Sequence, residues 1–388
     1  MIFNFDTIID RRKTNSLKFD NIDKTLGVAP DAIPMWVADM DFAVAPCIAD
    51  ALRARMEHRV LGYTLRTESF AESIVGWQKR RNGWVVKPEW VGFSPGVVAG
   101  IAVAISQFTK PGEKVIVQTP VYHPFFLTVK ALGREVAYNS LLNHRQYAQI
   151  DFDDLELKAR TAKMLLLCNP HNPGGRVWTR AELARIADIC SRNGVMVVSD
   201  EIHSDLVYKP AVFTPYASIS DASAQNSLTL SAPSKTFNIA GLATSYVVAP
   251  NAEILKRYNA GLDAMHIGFG NLFGNVALEA AYNGGDEWVD QLLAYLKGSV
   301  DFAIGYAEKN IPQMHIVRPE ATFLLWCDCR EFNMSERELS DFFAHRAKVA
   351  VNMGAMFGQE GSGFVRLNIG CPRATLETAL ERIKTALP

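Results

Sequence analysis

Along the first two thirds of this chain, short runs of β-branched and aliphatic residues alternate with amphipathic stretches, and no other feature restricts the fold as tightly. Runs at 91–94, 115–118, 164–168, 195–199, 227–230 and 245–249 have the length and composition of strands. The segments MLLLC (164–168) and VMVVS (195–199) are apolar with little alternation, as expected of strands buried on both faces of a sheet. Between these two, residues 179–193 spell a helix. Thr179 and Glu182 form a capping box, Leu183, Ile186, Ala187 and Cys190 recur at helical spacing, and Asn193-Gly194 supplies the stop. Strand–helix–strand repetition predicts an α/β domain with a mostly parallel sheet covered on both sides.

The last third reads differently. A helical pattern from 287 to 309 is followed by short strands at 315–317 and 323–327. Next come a helix opened by a second capping box (Ser335, Glu338), a strand at 364–369 and a final helix over 375–387. The expected organisation is an N-terminal arm, 1–45, packing with a small α+β domain, 287–388, and a large α/β domain, 46–286. A length of 388 residues suits two or three domains.

Composition removes several function classes. With 48% hydrophobic and 21% charged residues the chain folds and is not a disordered tail. Forty basic residues against 41 acidic ones leave a net charge of −1, without the basic excess of a nucleic-acid binder or a polybasic membrane anchor. No run reaches the ~18 apolar residues of a membrane-spanning helix. The start, MIFNFDTIIDRRK, places its charges after the apolar residues, the reverse of a secretory leader. Six scattered cysteines with no Cys-x-x-Cys pair suit a reducing compartment. A cytoplasmic protein is expected, with neither nucleic acid nor membrane as its partner.

The phosphate loop G-x-x-x-x-G-K-[ST], the dinucleotide fingerprint, the G-x-S-x-G elbow and an H-E-x-x-H pair are all missing. Cys327 and Cys329 lack further partners at zinc spacing, so no metal site is expected. The chemistry lies instead at four strand ends. The first opens into Gly96-Val97-Val98 and an apolar helix, the second into Asn169-Pro170-His171-Asn172, the third into Asp200-Glu201-Ile202-His203, and the fourth, through Ser231, into Ser234-Lys235. Parallel strands bring their carboxyl ends to one edge, where α/β proteins bind ligands. A helix N-terminus, an amide, a carboxylate, hydroxyls and a lysine converging there are what pyridoxal phosphate needs. The helix start takes the phosphate, helped by Ser231 and Ser234. Lys235 bonds to the aldehyde, Asp200 holds the ring nitrogen protonated, and Asn172 donates to the phenolate oxygen.

The strings CNPHNPGG, VSDEIH, SAPSKTFNIAGL and VRLNIGCPR resemble fold-type I pyridoxal phosphate enzymes, the aspartate aminotransferase superfamily, over nearly the whole chain. The segments IIDRRKTNSLKFD (8–20) and IPMWVADMDF (33–42) narrow the resemblance to the MalY/PatB class of cystathionine β-lyases. The resemblance implies that Lys235 is the covalent lysine, Asp200 the pyridinium partner and Asn172 the phenolate donor. It implies that Tyr122 stacks on the ring and that Gly96-Val97-Val98 cradles the phosphate. It makes Tyr63 a residue reaching the neighbouring subunit's cofactor and substrate in a homodimer. Arg366, with Ala38, is implied at the substrate carboxylate. Two positions depart from the aspartate aminotransferases. His203 stands where they carry tyrosine, so the second phenolate donor is His203 itself or Tyr208. Ala243 stands where they carry a phosphate-binding arginine, which leaves more of the phosphate to Ser231, Ser234, the helix dipole and Tyr63.

The expected reaction is β-elimination of a thiol from L-cystathionine or a related cysteine S-conjugate, giving homocysteine, pyruvate and ammonia, with Lys235, Asp200 and Tyr122 as the catalytic residues. Two alternatives stay open: an aminotransferase on the same scaffold, and a lyase with an added regulatory protein partner.

Overall fold

The computed structural model describes residues 1–20, 22–143 and 146–387. Seven strands form the main sheet in the order Val91–Ser94, Ser245–Val248, Ser227–Ser231, Met196–Asp200, Ala162–Cys168, Lys114–Val117 and Glu135–Tyr138. Neighbours pair in parallel except for Ser245–Val248, which runs against both strands beside it. Side-chain alternation splits the core between the two faces. Val115, Val117, Met164, Leu166 and Val198 pack on one side, and Ile116, Leu165, Leu167 and Val197 on the other.

Five of the expected strands are found within two residues of their expected limits, and the sixth, Val91–Ser94, stands as read. The edge strand Glu135–Tyr138 is an addition. It pairs on one side only and exposes both its end residues, so it needs no apolar run and leaves none in the sequence. The reversed direction of Ser245–Val248 is the second difference, and it matters at the site.

Helix Val97–Phe108 lies tightly on the sheet. A Cβ at Gly100 would stand 2.5 Å from Leu230 Cδ2 and 2.8 Å from Ser94 Oγ, so only glycine permits this approach. The approach sets the helix N-terminus over the carboxyl edge.

Beyond the 25-residue helix Asp286–Asn310, a four-stranded antiparallel sheet runs in the order Asn352–Met353, Phe364–Asn368, Leu324–Asp328, His315–Val317. The last helix, Arg373–Ala386, packs against the long one. The second capping box opens Glu336–Asp341, which continues as a π-helical turn, Phe342–Arg346. The N-terminal segment joins this part of the molecule, since Ile33–Pro34 pairs in parallel with Val349–Ala350. All six cysteines are free thiols. Among the described residues, no helix is long and apolar enough to cross a membrane.

Candidate active site

A cavity of about 160 Å³ opens at the carboxyl edge of the main sheet. Ten of the residues expected to bind or react line it: Ala38, Gly96, Val97, Val98, Tyr122, Asn172, Asp200, His203, Ser234 and Lys235. A larger groove of about 980 Å³ lies elsewhere, between 204–213 and the long helix, and holds neither Lys235 nor Asp200.

Lys235 sits in the short helix Pro233–Thr236 at the end of Ser227–Ser231. The helix is anchored from behind. Thr236 donates to the Asp205 carboxylate at 2.9 Å, and the Trp77 indole N–H donates to the same carboxylate at 3.0 Å. The Lys235 Nζ donates to the Ala38 carbonyl at 2.7 Å. Burial and the Arg366 charge push its pKa down to about 8, against the opposing pull of Asp39 and Asp200. Asp200 ends its strand on the same face as Val198 and accepts the Ile202 amide at 3.1 Å. Burial pushes its carboxyl up to about 7. His203 is buried beside it, driven down to about 3 by desolvation and by the charges of Lys235 and Arg366, and its Nδ1 has no partner among the described residues.

Arg366 does not line the cavity itself but stands directly behind Asn172. It is buried in the middle of the small sheet, where Asn352 is its cross-strand neighbour. Its Nη1 donates to Asn172 Oδ1 at 3.0 Å, and its Nη2 donates to Asn352 Oδ1 at 2.6 Å and to the Trp36 carbonyl at 3.0 Å. Nε is left without a partner among the described residues. The guanidinium lies 4.8 Å from the Phe357 ring centroid.

Two expectations need correction. Ser231 does not face the cavity, because strand alternation turns it away from the face of Leu228 and Leu230, and its hydroxyl donates to the Glu201 carbonyl at 3.2 Å. Tyr208 points away too and donates to the Thr322 carbonyl. Tyr63, expected to serve a neighbouring subunit, is 97% exposed with Phe269 as its aromatic contact and lies outside the cavity of its own chain.

Sequence reasoning missed Thr244 and Ser245, which line the cavity beside Ala243. The antiparallel strand Ser245–Val248 begins at the edge where its neighbours end, so its leading residues arrive from the opposite direction. Ser245 Oγ donates to the Ser94 carbonyl at 2.9 Å and ties the two strand ends together. A cluster of small hydroxylic residues before a strand was the available signal.

Sheet order, crossover helices and the lysine–aspartate pair at the carboxyl edge define a fold-type I enzyme of the pyridoxal phosphate kind. The chain belongs to the aminotransferase class I and II family, whose model matches residues 30–383. It is 42% identical over 386 residues to cystathionine β-lyase PatB of Bacillus subtilis, covering 99% of this chain and 100% of that protein. Two crystal structures superpose closely. One is a pyridoxal-phosphate-bound protein of Clostridium difficile provisionally assigned as an aminotransferase (44% identity, TM-score 0.98, all of both chains). The other is cystalysin of Treponema denticola, which contains pyridoxal 5′-phosphate (35% identity, TM-score 0.97, 100% of this chain and 99% of that one).

Proposed function

We propose that this protein catalyses pyridoxal-phosphate-dependent β-elimination from an L-amino acid with a β-sulfur substituent, L-cystathionine or a related cysteine S-conjugate. The products are a thiol (homocysteine from cystathionine), pyruvate and ammonia. The observation that carries the reading is Lys235 and Asp200 facing one cavity, with the Arg366 guanidinium behind it, in a chain similar over its full length to a named β-lyase.

The residues fit the cofactor. The first-turn amides of Val97 and Val98, with the hydroxyls of Ser234 and Thr244, suit a phosphate at a helix N-terminus. Asp200, a buried carboxylate that among the described residues has a single amide donor and no ion pair, suits a cationic ring nitrogen. Asn172 and His203 suit the ring oxygen, and Tyr122 offers a flat face. Bound pyridoxal phosphate supplies an aldehyde for an amine and a ring that takes up the electron pair freed at Cα.

The protein's own groups do the rest. Lys235, with its pKa near 8, has a substantial neutral fraction at slightly alkaline pH, and its amine serves as the base for the Cα proton. Asp200 keeps the facing nitrogen protonated. Arg366 Nε has no partner among the described residues and is open to a substrate carboxylate, while its other nitrogens are held by Asn172, Asn352 and Trp36. With Ala243 in place of a cation, phosphate binding falls to Ser234, Thr244 and the helix start.

In this reading 46–286 form the cofactor domain, 287–388 the smaller domain that supplies Arg366, and the enzyme works in the cytoplasm as a homodimer. The exposed Tyr63, next to exposed Leu61 and Leu65, supports a subunit interface through which Tyr63 reaches its neighbour's cofactor. Incubation with L-cystathionine and no keto acid is the deciding experiment. Catalytic pyruvate and free thiol are expected, whereas a strict need for a keto-acid acceptor would establish an aminotransferase instead.

A further inference from the structure

The two segments that narrow the sequence resemblance, 8–20 and 33–42, meet in one ion cluster beside Lys235. Lys18 is 1% exposed, and its Nζ donates to both Asp41 oxygens at 3.0 and 3.1 Å and to the Asp39 carbonyl at 3.2 Å. Arg11 donates to Asp39 Oδ2 at 2.6 Å and to Asp41 Oδ1 at 2.7 Å. Two cations and two carboxylates close a neutral set.

This set grips a strip of backbone whose successive carbonyls are all engaged. Trp36 accepts from Arg366, Val37 from Asn368, Ala38 from Lys235, Asp39 from Lys18 and Asn368, and Met40 from Arg11 and Asn238. The strip therefore joins the carboxylate-binding arginine to the lysine, and Ala38 is its point of contact with the amine. Nothing in the mechanism above uses Lys18 or Arg11, although the Lys18–Asp41 pair is buried and the Arg11–Asp39 pair is partly so.

We propose that Lys18 and Arg11 are positioning residues for Lys235: their pairing with Asp39 and Asp41 holds the Ala38 carbonyl where it orients the lysine amine toward the substrate Cα. The proposal rests on the reading of Lys235 as covalent lysine and base. The charged and titratable groups facing the amine are Asp200 from the main sheet, Asp39 from the strip, Arg366 from the small sheet and His203 beside Asp200. Loss of Lys18 leaves Asp39 less neutralised, which favours the protonated amine.

The test compares Lys18→Met, Lys18→Arg and Arg11→Gln with the parent. One readout is the pH profile of pyridoxal phosphate uptake by the apoprotein, which needs the neutral Lys235 amine and no turnover. The other is kcat and KM for β-elimination in the holoenzyme. For Lys18→Met we expect the uptake profile to move alkaline by about half a pH unit. We also expect kcat to fall by about tenfold or more with KM changed far less, as for a misplaced base. Lys18→Arg is expected to restore part of both. Arg11 is only half-buried, so Arg11→Gln serves if Lys18→Met fails to fold, with the same shift at smaller size. Unchanged profile and kcat in a variant that has merely lost thermal stability would overturn the positioning role. Lys235→Ala separates the two levels. If it still forms the cofactor's visible band and turns over, the reading of Lys235 itself falls and the proposal with it.

Discussion

Two buried charged regions lie side by side in this molecule and are built on opposite terms. In the N-terminal cluster the Lys18 ammonium is matched by carboxylates and both Arg11 terminal nitrogens by acceptors, and Asp39 Oδ1 is the cluster oxygen without a hydrogen bond among the described residues. In and behind the cavity, Asp200 accepts one amide, His203 Nδ1 and Arg366 Nε are unpaired among the described residues, and Lys235 donates to one carbonyl. Folding normally satisfies buried polar groups, so a concentration of unmatched ones marks places kept open for a ligand. The pKa values follow the same division. Asp200 is driven up and Lys235 down by desolvation, each toward its neutral form.

The contrast breaks first at Lys235. Lys235→Ala should lower pyruvate formation from cystathionine by at least about a thousandfold while leaving the folded state intact, as removal of both nucleophile and base requires. Near-normal turnover would sink the assignment. On the satisfied side stability falls together with kcat. Lys18→Met leaves Asp41 buried with fewer partners and should cost about 3–5 kcal/mol in denaturant unfolding. A loss too small to measure would mean that the cluster is held by its surroundings and not by its charges.

Asp200→Asn sharpens the comparison through pH. In the cofactor-free chain the native carboxyl titrates near 7, against 3.8 for the unfolded one. Between those values the unfolded state binds fewer protons than the native state, so stability falls as pH rises through the window. The amide removes this loss. Asp200→Asn should raise the melting temperature of the apoprotein at pH 8 and change it little at pH 4, although it abolishes turnover. A smaller effect is expected at Gly274, where a Cβ would stand 1.8 Å from Thr244 Oγ1. Gly274→Ala should weaken cofactor affinity by about tenfold through displacement of Thr244, measured by equilibrium uptake. Smallest of all, breaking the exposed Arg53–Asp50 pair with Arg53→Ala should leave both the unfolding midpoint and kcat unchanged, since such pairs are screened by water.

Much of the site was legible because parallel strands end on one edge. Asn172, Asp200 and Lys235 each follow an apolar run, so local pattern placed them together without knowledge of strand order. Ser231 shows where that reasoning stops. It ends the same strand that leads to Lys235, but strand alternation turns it to the far face. Thr244 was missed for a related reason. It precedes a strand, and only a reversed strand brings its beginning to the edge where the others finish. Tyr63 was placed by resemblance alone, and in the single chain it touches neither cofactor cavity nor core.

Periodicity and end residues were enough to determine an α/β sheet, a smaller C-terminal α+β part and a lysine–aspartate–asparagine set at strand ends. These are properties of a few consecutive residues, set by local sterics and apolar spacing. Strand direction at 245–248, the edge strand at 135–138, the placement of Arg366 behind Asn172 and the meeting of Lys18 and Arg11 with Asp39 and Asp41 were decided only by the tertiary structure. Each depends on which distant segments share one buried volume. In such a volume the cost of an unpaired charge or a void is settled by all the neighbours at once, and no local pattern records them.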